Sequence, residues 1–552
     1  MTEPLIWGFG LSTQAEPLLQ RLLRAGVIAR VALPPQGEAW RSHELSQFLG
    51  DTWSTGQALV AVGACGAITR LVAPLLQGKD SDPAVVVLDP AGRFAVPLLG
   101  GHGAGGEALA QRIAALLGGE AVLTGASAAA GQVALDAFGT PWGWRRGGGD
   151  WSDLIKRAQR QQPPALRHDH GNDRWRQLPG LQGWQADPNQ PPLVVSVEPG
   201  PGCRWHPPAL WLGIGCERGT SVSLLERLVE QGLAAQGLAA EAVAGLASAE
   251  RKADEPALLE LAERRGWPLR CFSSPELAAV EVPNPSAVVL EELGTASVAE
   301  AAALLAAGPG CALRQTKRIE RAQGQEQGAA TLAIAQARQQ WAPQRGQLHL
   351  IGSGPGSLEL LTPDARAALA ESCVWVGYGL YLDLLEPLRR PDQLRSDGTL
   401  TEERQRCQEA LELACQGLTV ALVSSGDSGI YGMAGLALEQ WMALAEADRP
   451  RFNVHPGISA LQLAAARAGA PLMHDFCTIS LSDRLTPWEV IERRLVAAAA
   501  GDFVVALYNP RSRGRDWQLA RAQELLLAGR PATTPVVLAR QLGRAEEAVS
   551  LH

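Results

Sequence analysis

A short apolar run, a glycine-rich turn and then a helical pattern recur along this chain, and that unit restricts its fold more than any other feature. The first clear instance is "AVVVLDPAGRFAVPLLGGHGAGGEALAQRIAALLG" (84–118). Val85–Leu88 reads there as a buried strand, and Leu109, Ile113, Leu116 and Leu117 share one helix face. "LWLGIGCERGTSVSLLERLVEQGL" (210–233), "LHLIGSGPGSLELLTPDA" (348–365) and "LTVALVSSGDSGIYGMAGLALEQWM" (418–442) repeat the unit. "FNVHPGISALQLAAARAG" (452–469) and "DFVVALYNPRS" (502–512) follow the same strand-then-loop arrangement. Strands joined through helices pack as layered α/β sheets. In such sheets ligands sit beyond the carboxyl ends of the strands, where these glycine loops lie.

At 552 residues the chain exceeds one core, so a multidomain α/β protein is expected. Net charge is -8, which argues against a general nucleic-acid binder. No apolar run reaches membrane-spanning length and "MTEPLIWGFGLSTQ" has no basic leader, so neither membrane insertion nor export is expected. The 9 cysteines form no C-x-x-C pair, the pattern of reduced thiols in a cytoplasmic protein.

The α/β pattern divides into an N-terminal domain over 1–130 and a second domain over 209–338. Between them, 131–208 is rich in Trp, Gly and Arg and reads as a small loop-rich insert or middle domain. The polar "QQWAPQRGQ" (339–347) is the expected linker. From 348 a further α/β unit begins, read as two subdomains over 348–460 and 461–552.

The loop Gly352-Ser353-Gly354-Pro355-Gly356 invites a dinucleotide reading, which fails. Its third glycine comes one position early, Pro355 intrudes, and "CVWVGYG" (373–379) ends without a carboxylate. Thr362-Pro363-Asp364 reads as an N-cap, a proline at the first helical position and a first-turn acid. That helix starts too far from the glycines to seat a pyrophosphate.

Several separated motifs, in order, resemble instead the tetrapyrrole methylase superfamily over 348–552. "GSGPGSLELLT" is similar to its first loop, and "HPGISA" to its element at the join of the two subdomains. "SSGDSGIYG" is similar to its G-D-P loop, with Ser428 where proline is usual. Within the superfamily, "VGYGLYLDL", "APLMHDFCTISLSDRLTPWEVIERRL" and "ALYNPRSR" most resemble precorrin-3B carbon-17 methyltransferase. The resemblance implies S-adenosylmethionine-dependent carbon methylation of a precorrin-3B or cobalt-factor III type tetrapyrrole, with ring contraction and lactone formation. It implies that Gly426, Asp427, Ile430, Tyr431, Ser459, Ala460, Leu507, Tyr508 and Asn509 line the cofactor pocket. Gly352, Gly354, Pro355, Gly356, Ser482 and Asp483 would face the tetrapyrrole. It also implies a final strand beyond "AEEAVSLH", so the second subdomain is expected to be incomplete. An activated sulfonium and an electron-rich carbon need alignment in a dry cleft more than acid–base groups, and glycine-lined loops suit that task.

The first half resembles cobalt-precorrin-5A hydrolase, which opens that lactone and releases acetaldehyde. The resemblance rests on "VAVGACGAITRLVAPLL", "PLLGGHGAGGEALAQRIAALLG", "LGIGCERGTS", "RKADEPALLELAERRGWPL" and "VPNPSAVVLEELGTASVAEAAALLAA". His102 reads either as a general base or as a loop-holding histidine. Cys216 beside Arg218 is an activated thiolate or a small buried residue. On the second reading Arg218, with the Gly213 and Gly215 backbone and Thr220, grips a substrate carboxylate. Lys252, Asp254 and Glu255 form an acid–base or carboxylate-binding cluster, or a solvated helix start. No protein metal site is required: His168-Asp169-His170 is a weak candidate, and a corrinoid brings its own cobalt.

The resulting expectation is a bifunctional cobalamin-biosynthesis enzyme whose partners are corrinoid intermediates and other enzymes of that pathway. A homodimer is compatible with the resemblance. Another transferase of the superfamily, or a corrinoid-binding scaffold without catalysis, remains the alternative.

Overall fold

The computed structural model describes residues 5–35, 38, 40–55, 58–78, 81–101, 103–125, 133–160, 162–181, 187, 189, 191–285, 297–340, 346–399, 402–484, 486–512 and 515–552. β1 (Ile6–Gly10), β2 (Arg30–Ala32), β3 (Ala58–Val62), β4 (Ala84–Leu88), β5 (Phe94–Leu99) and β6 (Glu120–Ala121) form the first sheet, in the order β2-β1-β3-β4-β5-β6. Every pairing in it is parallel except β4 with β5. Both faces of β3 and β4 are buried, as unbroken apolar runs require. The helix Gly106–Leu117 turns Leu109, Ile113 and Leu116 into this core and leaves Leu117 half-buried.

The Trp-rich stretch contains a sheet of its own. β7 (Arg145–Arg146), β8 (Leu166–His168), β9 (Leu193–Val195) and β10 (Arg204–His206) run in the order β7-β10-β9-β8. Trp142, Trp175 and Trp205 are almost wholly buried, and Phe138 meets Trp205 edge-on at 5.6 Å. Burying one such ring contributes about 4–6 kcal/mol as an upper bound. The aromatic core continues without a break into Leu348, Val374, Cys407 and Leu411. Within the expected linker, 341–345 lies outside the described residues. Gln340 is fully buried, and its amide donates to the carbonyls of Trp142 (2.6 Å) and Gln416 (2.9 Å).

The third sheet contains β11 (Leu210–Cys216), β12 (Val243–Ala249), β13 (Leu269–Phe272), β14 (Ala312–Arg321) and β15 (Ala329–Gln336), ordered β13-β12-β11-β15-β14. β11, β12 and β13 are parallel, whereas β15 runs antiparallel to both its neighbours. Ser221 stands at the N-cap of the helix Val222–Ala235, but its side chain does not cap; its hydroxyl accepts from Gln327 N–H instead.

β16 (Gln347–Gly352), β17 (Val374–Tyr378), β18 (Leu394–Gly398), β19 (Thr419–Ser424) and β20 (Arg451–His455) form a wholly parallel sheet, β18-β17-β19-β16-β20. Thr362 caps the helix Pro363–Glu371, its hydroxyl accepting from Ala365 N–H at 3.2 Å. That helix packs on Gly106–Leu117 of the N-terminal unit, where Arg112 pairs with Glu371 at 3.1 Å. Beyond it, β21 (Phe476–Ser480) and β22 (Val504–Tyr508) pair in parallel, and β23 (Val537–Arg540) and β24 (Ala548–Leu551) form a hairpin. Among the described residues, no helix is long and apolar enough to cross a membrane.

Candidate functional site

Three loops meet beyond the carboxyl ends of β16, β19 and β20. Gly354 and Gly426 exchange backbone hydrogen bonds of 3.1 and 2.8 Å, which closes the first loop onto the second. The third loop locks in through Gly457. A β-carbon there would lie 2.1 Å from the Gly426 carbonyl oxygen and 2.5 Å from that of Gly352. Asp427 ties the same loops with its carboxylate, accepting from Gly429 N–H (2.8 Å) and Gly457 N–H (3.0 Å). Glycine is therefore demanded at 352 and 457 by backbone against backbone.

Two further groups complete this region. The Tyr431 and Tyr508 rings stand 5.0 Å apart, and the Tyr508 hydroxyl accepts from Leu461 N–H at 3.1 Å. Leu461 belongs to the first turn of Ala460–Arg467, a helix capped reciprocally by Ser459 and Gln462. Tyr431 and Asn509 both hold left-handed backbones, with φ of 53° and 51°. Such conformations cost of order 1 kcal/mol or more for non-glycine residues and gather where geometry serves function. The Asn509 amide donates to Ser480 Oγ at 3.1 Å. Arg515 donates to Asn509 O (3.0 Å) and Ser482 Oγ (3.1 Å), and Gln518 to Asp483 Oδ2 (3.1 Å). The loops carrying 426–431, 457–460, 480–483 and 507–509 are thus linked, Tyr431 by its ring contact with Tyr508. Ile430 and Tyr431 remain exposed, and Leu507 is half-buried.

The first glycine loop differs from the expectation that it simply faces a ligand. Pro355 is buried, and a β-carbon on Gly356 would lie 2.8 Å from Arg544 Cγ. The turn at Gly543 therefore covers one side of this loop, and Glu547 holds that turn by accepting from Gly543 N–H and from Arg467. Beneath the loops runs a polar chain that motif reading did not reveal. His349 Nδ1 lies 2.9 Å from His455 Nε2, and His455 Nδ1 lies 2.6 Å from Asp364 Oδ2. Burial, then the neighbouring His455 and Arg112, push His349 down to about 3, so its ring is neutral near pH 7.

In the other half, His102 lies outside the described residues. Gly213 does not reach a ligand: it is buried within the ladder, and a β-carbon on it would lie 1.9 Å from the Ala299 carbonyl oxygen. It is glycine so that the alanine-rich helix Val298–Ala307 can pack against β11. Gly215 has its carbonyl occupied by the Thr331 hydroxyl, and Thr220 is buried with its hydroxyl on Glu217 O. Burial pushes the Cys216 thiol up to about 11, the direction opposite to an activated thiolate.

Arg218, Lys252, Asp254 and Glu255 do come together. Arg218 pairs with Asp254 at 2.7 Å, while Glu255 is 1% exposed rather than solvated. In 168–170, His168 is occupied by Trp175 and Gly171, His170 by Gln336, and Asp169 by Arg167. Among the described residues, no three His, Cys, Asp or Glu side chains are grouped to hold a metal ion.

Family comparison agrees with this layout. Residues 347–551 match the family described as Tetrapyrrole (Corrin/Porphyrin) Methylases. A precorrin-3B C(17)-methyltransferase of Sinorhizobium sp is 46% identical over 207 residues, covering 37% of this chain and 81% of that protein. The chain belongs to the tetrapyrrole methylases. Ahead of the methylase, residues 47–128 match Cobalamin synthesis G N-terminal and residues 210–335 match Cobalamin synthesis G C-terminus, so the chain fuses both G domains to a methylase. A cobalt-factor III methyltransferase of Priestia megaterium is 49% identical over 207 residues, and the match spans only 38% of its length and 37% of this chain. Among solved structures, the methyltransferase CobJ is 40% identical, covering 38% of this chain and 86% of its own, with a TM-score of 0.36.

Sequence reasoning missed Gly457, Ser480, Arg515 and the Asp364–His455–His349 chain. Gly457 was within reach, because it is the glycine of "HPGISA". The others depend on contacts between residues far apart in sequence.

Proposed function

We propose that the chain is a bifunctional enzyme of cobalamin biosynthesis. Its methylase half transfers a methyl group from S-adenosylmethionine to carbon 17 of a precorrin-3B or cobalt-factor III type tetrapyrrole, with ring contraction. Its G half opens the resulting lactone and releases acetaldehyde. The observation carrying this reading is the interlocked Gly352, Gly426 and Gly457 with Asp427, in a chain 46% identical over its methylase to a precorrin-3B C(17)-methyltransferase.

The residues present fit the cofactor. Exposed Ile430 and Tyr431 offer apolar and aromatic surface beside Asn509, and both Tyr431 and Asn509 hold strained backbones. S-adenosylmethionine supplies a methyl group already activated on a sulfonium. Asp427 fixes the spacing of the Gly426 and Gly457 loops, so the reacting carbon and the donor meet in one geometry. The Tyr431–Tyr508 pair and Leu507 form a largely apolar wall against which the cofactor packs. Of the first loop, half-buried Gly356 lies toward the tetrapyrrole with Ser482 and Asp483, while buried Gly352, Gly354 and Pro355 hold the loops together behind it. Arginine recruits the substrate's carboxylates, since the chain's net charge repels them.

Incubation of the chain with cobalt-bound and metal-free intermediates plus methyl donor tests both halves. Mass gain of one methyl group and enzymatic detection of acetaldehyde are expected. Absence of S-adenosylmethionine binding by calorimetry would overturn the methylase half and leave a scaffold.

A further inference from the structure

β11 and β12 are parallel neighbours, and the crevice beyond their carboxyl ends is where an open α/β sheet takes a ligand. Glu255 stands there, at the N-cap of the helix Pro256–Arg265, yet it caps nothing with its side chain. Its carboxylate is divided between two tasks. Oε1 accepts from Gly219 N–H at 3.0 Å, which anchors the loop after β11. Oε2 is buried and accepts no hydrogen bond; it lies 3.6 Å from Lys252 Nζ and 3.7 Å from an Arg218 guanidinium nitrogen.

A buried carboxylate oxygen left without a hydrogen bond calls for a reason. Loop anchoring accounts for Oε1 only. The ammonium of Lys252 does account for Oε2, since the two attract at that distance without hydrogen-bond geometry. Lys252 itself is 16% exposed at the side chain, so the cation is largely packed but not sealed from the end of the sheet where Glu255 stands. Arg218 is committed to Asp254 and to the Arg251 carbonyl, which leaves Lys252 as the cation with donors to spare.

We propose that Lys252 receives the developing oxyanion in the hydrolase-like half, that its ligand is the carbonyl oxygen of a cyclic ester, and that Glu255 is the positioning residue holding it. This rests on the lactone-opening reading above. Water adds to the acyl carbon, forming a carbon–oxygen bond, and the carbonyl electron pair moves onto the oxygen beside Lys252. Collapse breaks the ring carbon–oxygen bond. The proton lost by the water ends on the departing alkoxide, leaving a carboxylic acid and a secondary alcohol with no redox change. Acetaldehyde then leaves as the bond between the carbinol carbon and the macrocycle breaks. The hydroxyl gives up its proton, and the macrocycle carbon keeps the electron pair and takes up a proton, again with no redox change.

The test uses the full chain, cobalt-precorrin-5A as substrate and acetaldehyde as readout, with circular dichroism and thermal melting to confirm folding. Lys252→Met is expected to lower kcat about 100- to 1000-fold, the cost of one oxyanion donor, with KM changing less than about threefold. Lys252→Arg, which keeps the charge, restores part of the loss. Glu255→Gln keeps a carbonyl oxygen for Gly219 N–H but removes the charge at Oε2. It is expected to lower kcat about tenfold without changing the melting temperature, and to cost nothing further in the Lys252→Met background.

A Lys252→Met enzyme with kcat within about threefold of the parent, or with the loss carried by KM alone, overturns the assignment. A Glu255→Gln loss that adds fully to that of Lys252→Met reduces Glu255 to a loop anchor. If the parent chain itself releases no acetaldehyde, the lactone-opening reading falls and takes this inference with it. Release by the parent and, at a rate within about threefold of it, by Lys252→Met sinks the inference alone.

Discussion

Replacing Gly457 with alanine gives the sharpest measurement on the methylase half. The added β-carbon would sit 2.1 Å from the Gly426 carbonyl oxygen and 2.5 Å from the Gly352 carbonyl oxygen. Both neighbours are backbone, so no side chain can swing away, and each loop must retreat by about 1 Å to reach ordinary contact distance. Overpacking of this kind costs about 1–3 kcal/mol. Gly457 does not have a positive φ, so steric contact is the whole perturbation.

If that cost falls on the arrangement that binds S-adenosylmethionine, Kd rises about 5- to 150-fold. Gly435→Ala is the internal control. Gly435 lies in the helix Ala434–Met442 with nothing within 4 Å of its would-be β-carbon. There alanine is expected to stabilise by about 0.5–1 kcal/mol. Calorimetric titration of the cofactor and urea unfolding of both variants supply the numbers. The reasoning is refuted if Gly457→Ala binds within about twofold of the parent, or if Gly435→Ala is equally damaging.

The remaining expectations concern buried polar groups. His349 is held to about 3 in the folded chain against an ordinary 6.5, so below about pH 6.5 the unfolded chain takes up the proton first. Stability is therefore full above that pH and falls as pH drops toward 3. His349→Gln should flatten part of this slope in urea midpoints measured from about pH 7 to 5; an unchanged slope would refute it. Ser428, buried with no partner for its hydroxyl, should tolerate alanine with a change of at most about 1 kcal/mol, in the stabilising direction. A larger loss in the urea midpoint would mean that the hydroxyl is used. Alkylation followed by peptide mapping should label exposed Cys65 first and spare Cys373, Cys407 and Cys415, whose thiols burial pushes up to about 12. Early labelling of those three would contradict the packing around them.

What the sequence determined by itself was local. The strand runs at 84–88 and 348–352, the helix face of Leu109, Ile113 and Leu116, and the Thr362 cap all depend on residues a few positions apart. Periodicity and capping record those neighbours directly. Motif order also carried the family, because several loops in sequence demand particular side chains. Tertiary structure decided the rest. Gly213 and Gly457 are both glycines in loop-bearing units, yet one admits an alanine-rich helix and the other locks two loops. The Trp-rich stretch reads as an insert, but its rings share one core with the methylase sheet. The pattern leaves Glu255 open between a charged cluster and a solvated helix start, and only the fold decides, burying it between two cations. In each case the deciding neighbour comes from another element, and a chain's pattern records its own spacing, not which distant backbone or charge will be folded against it.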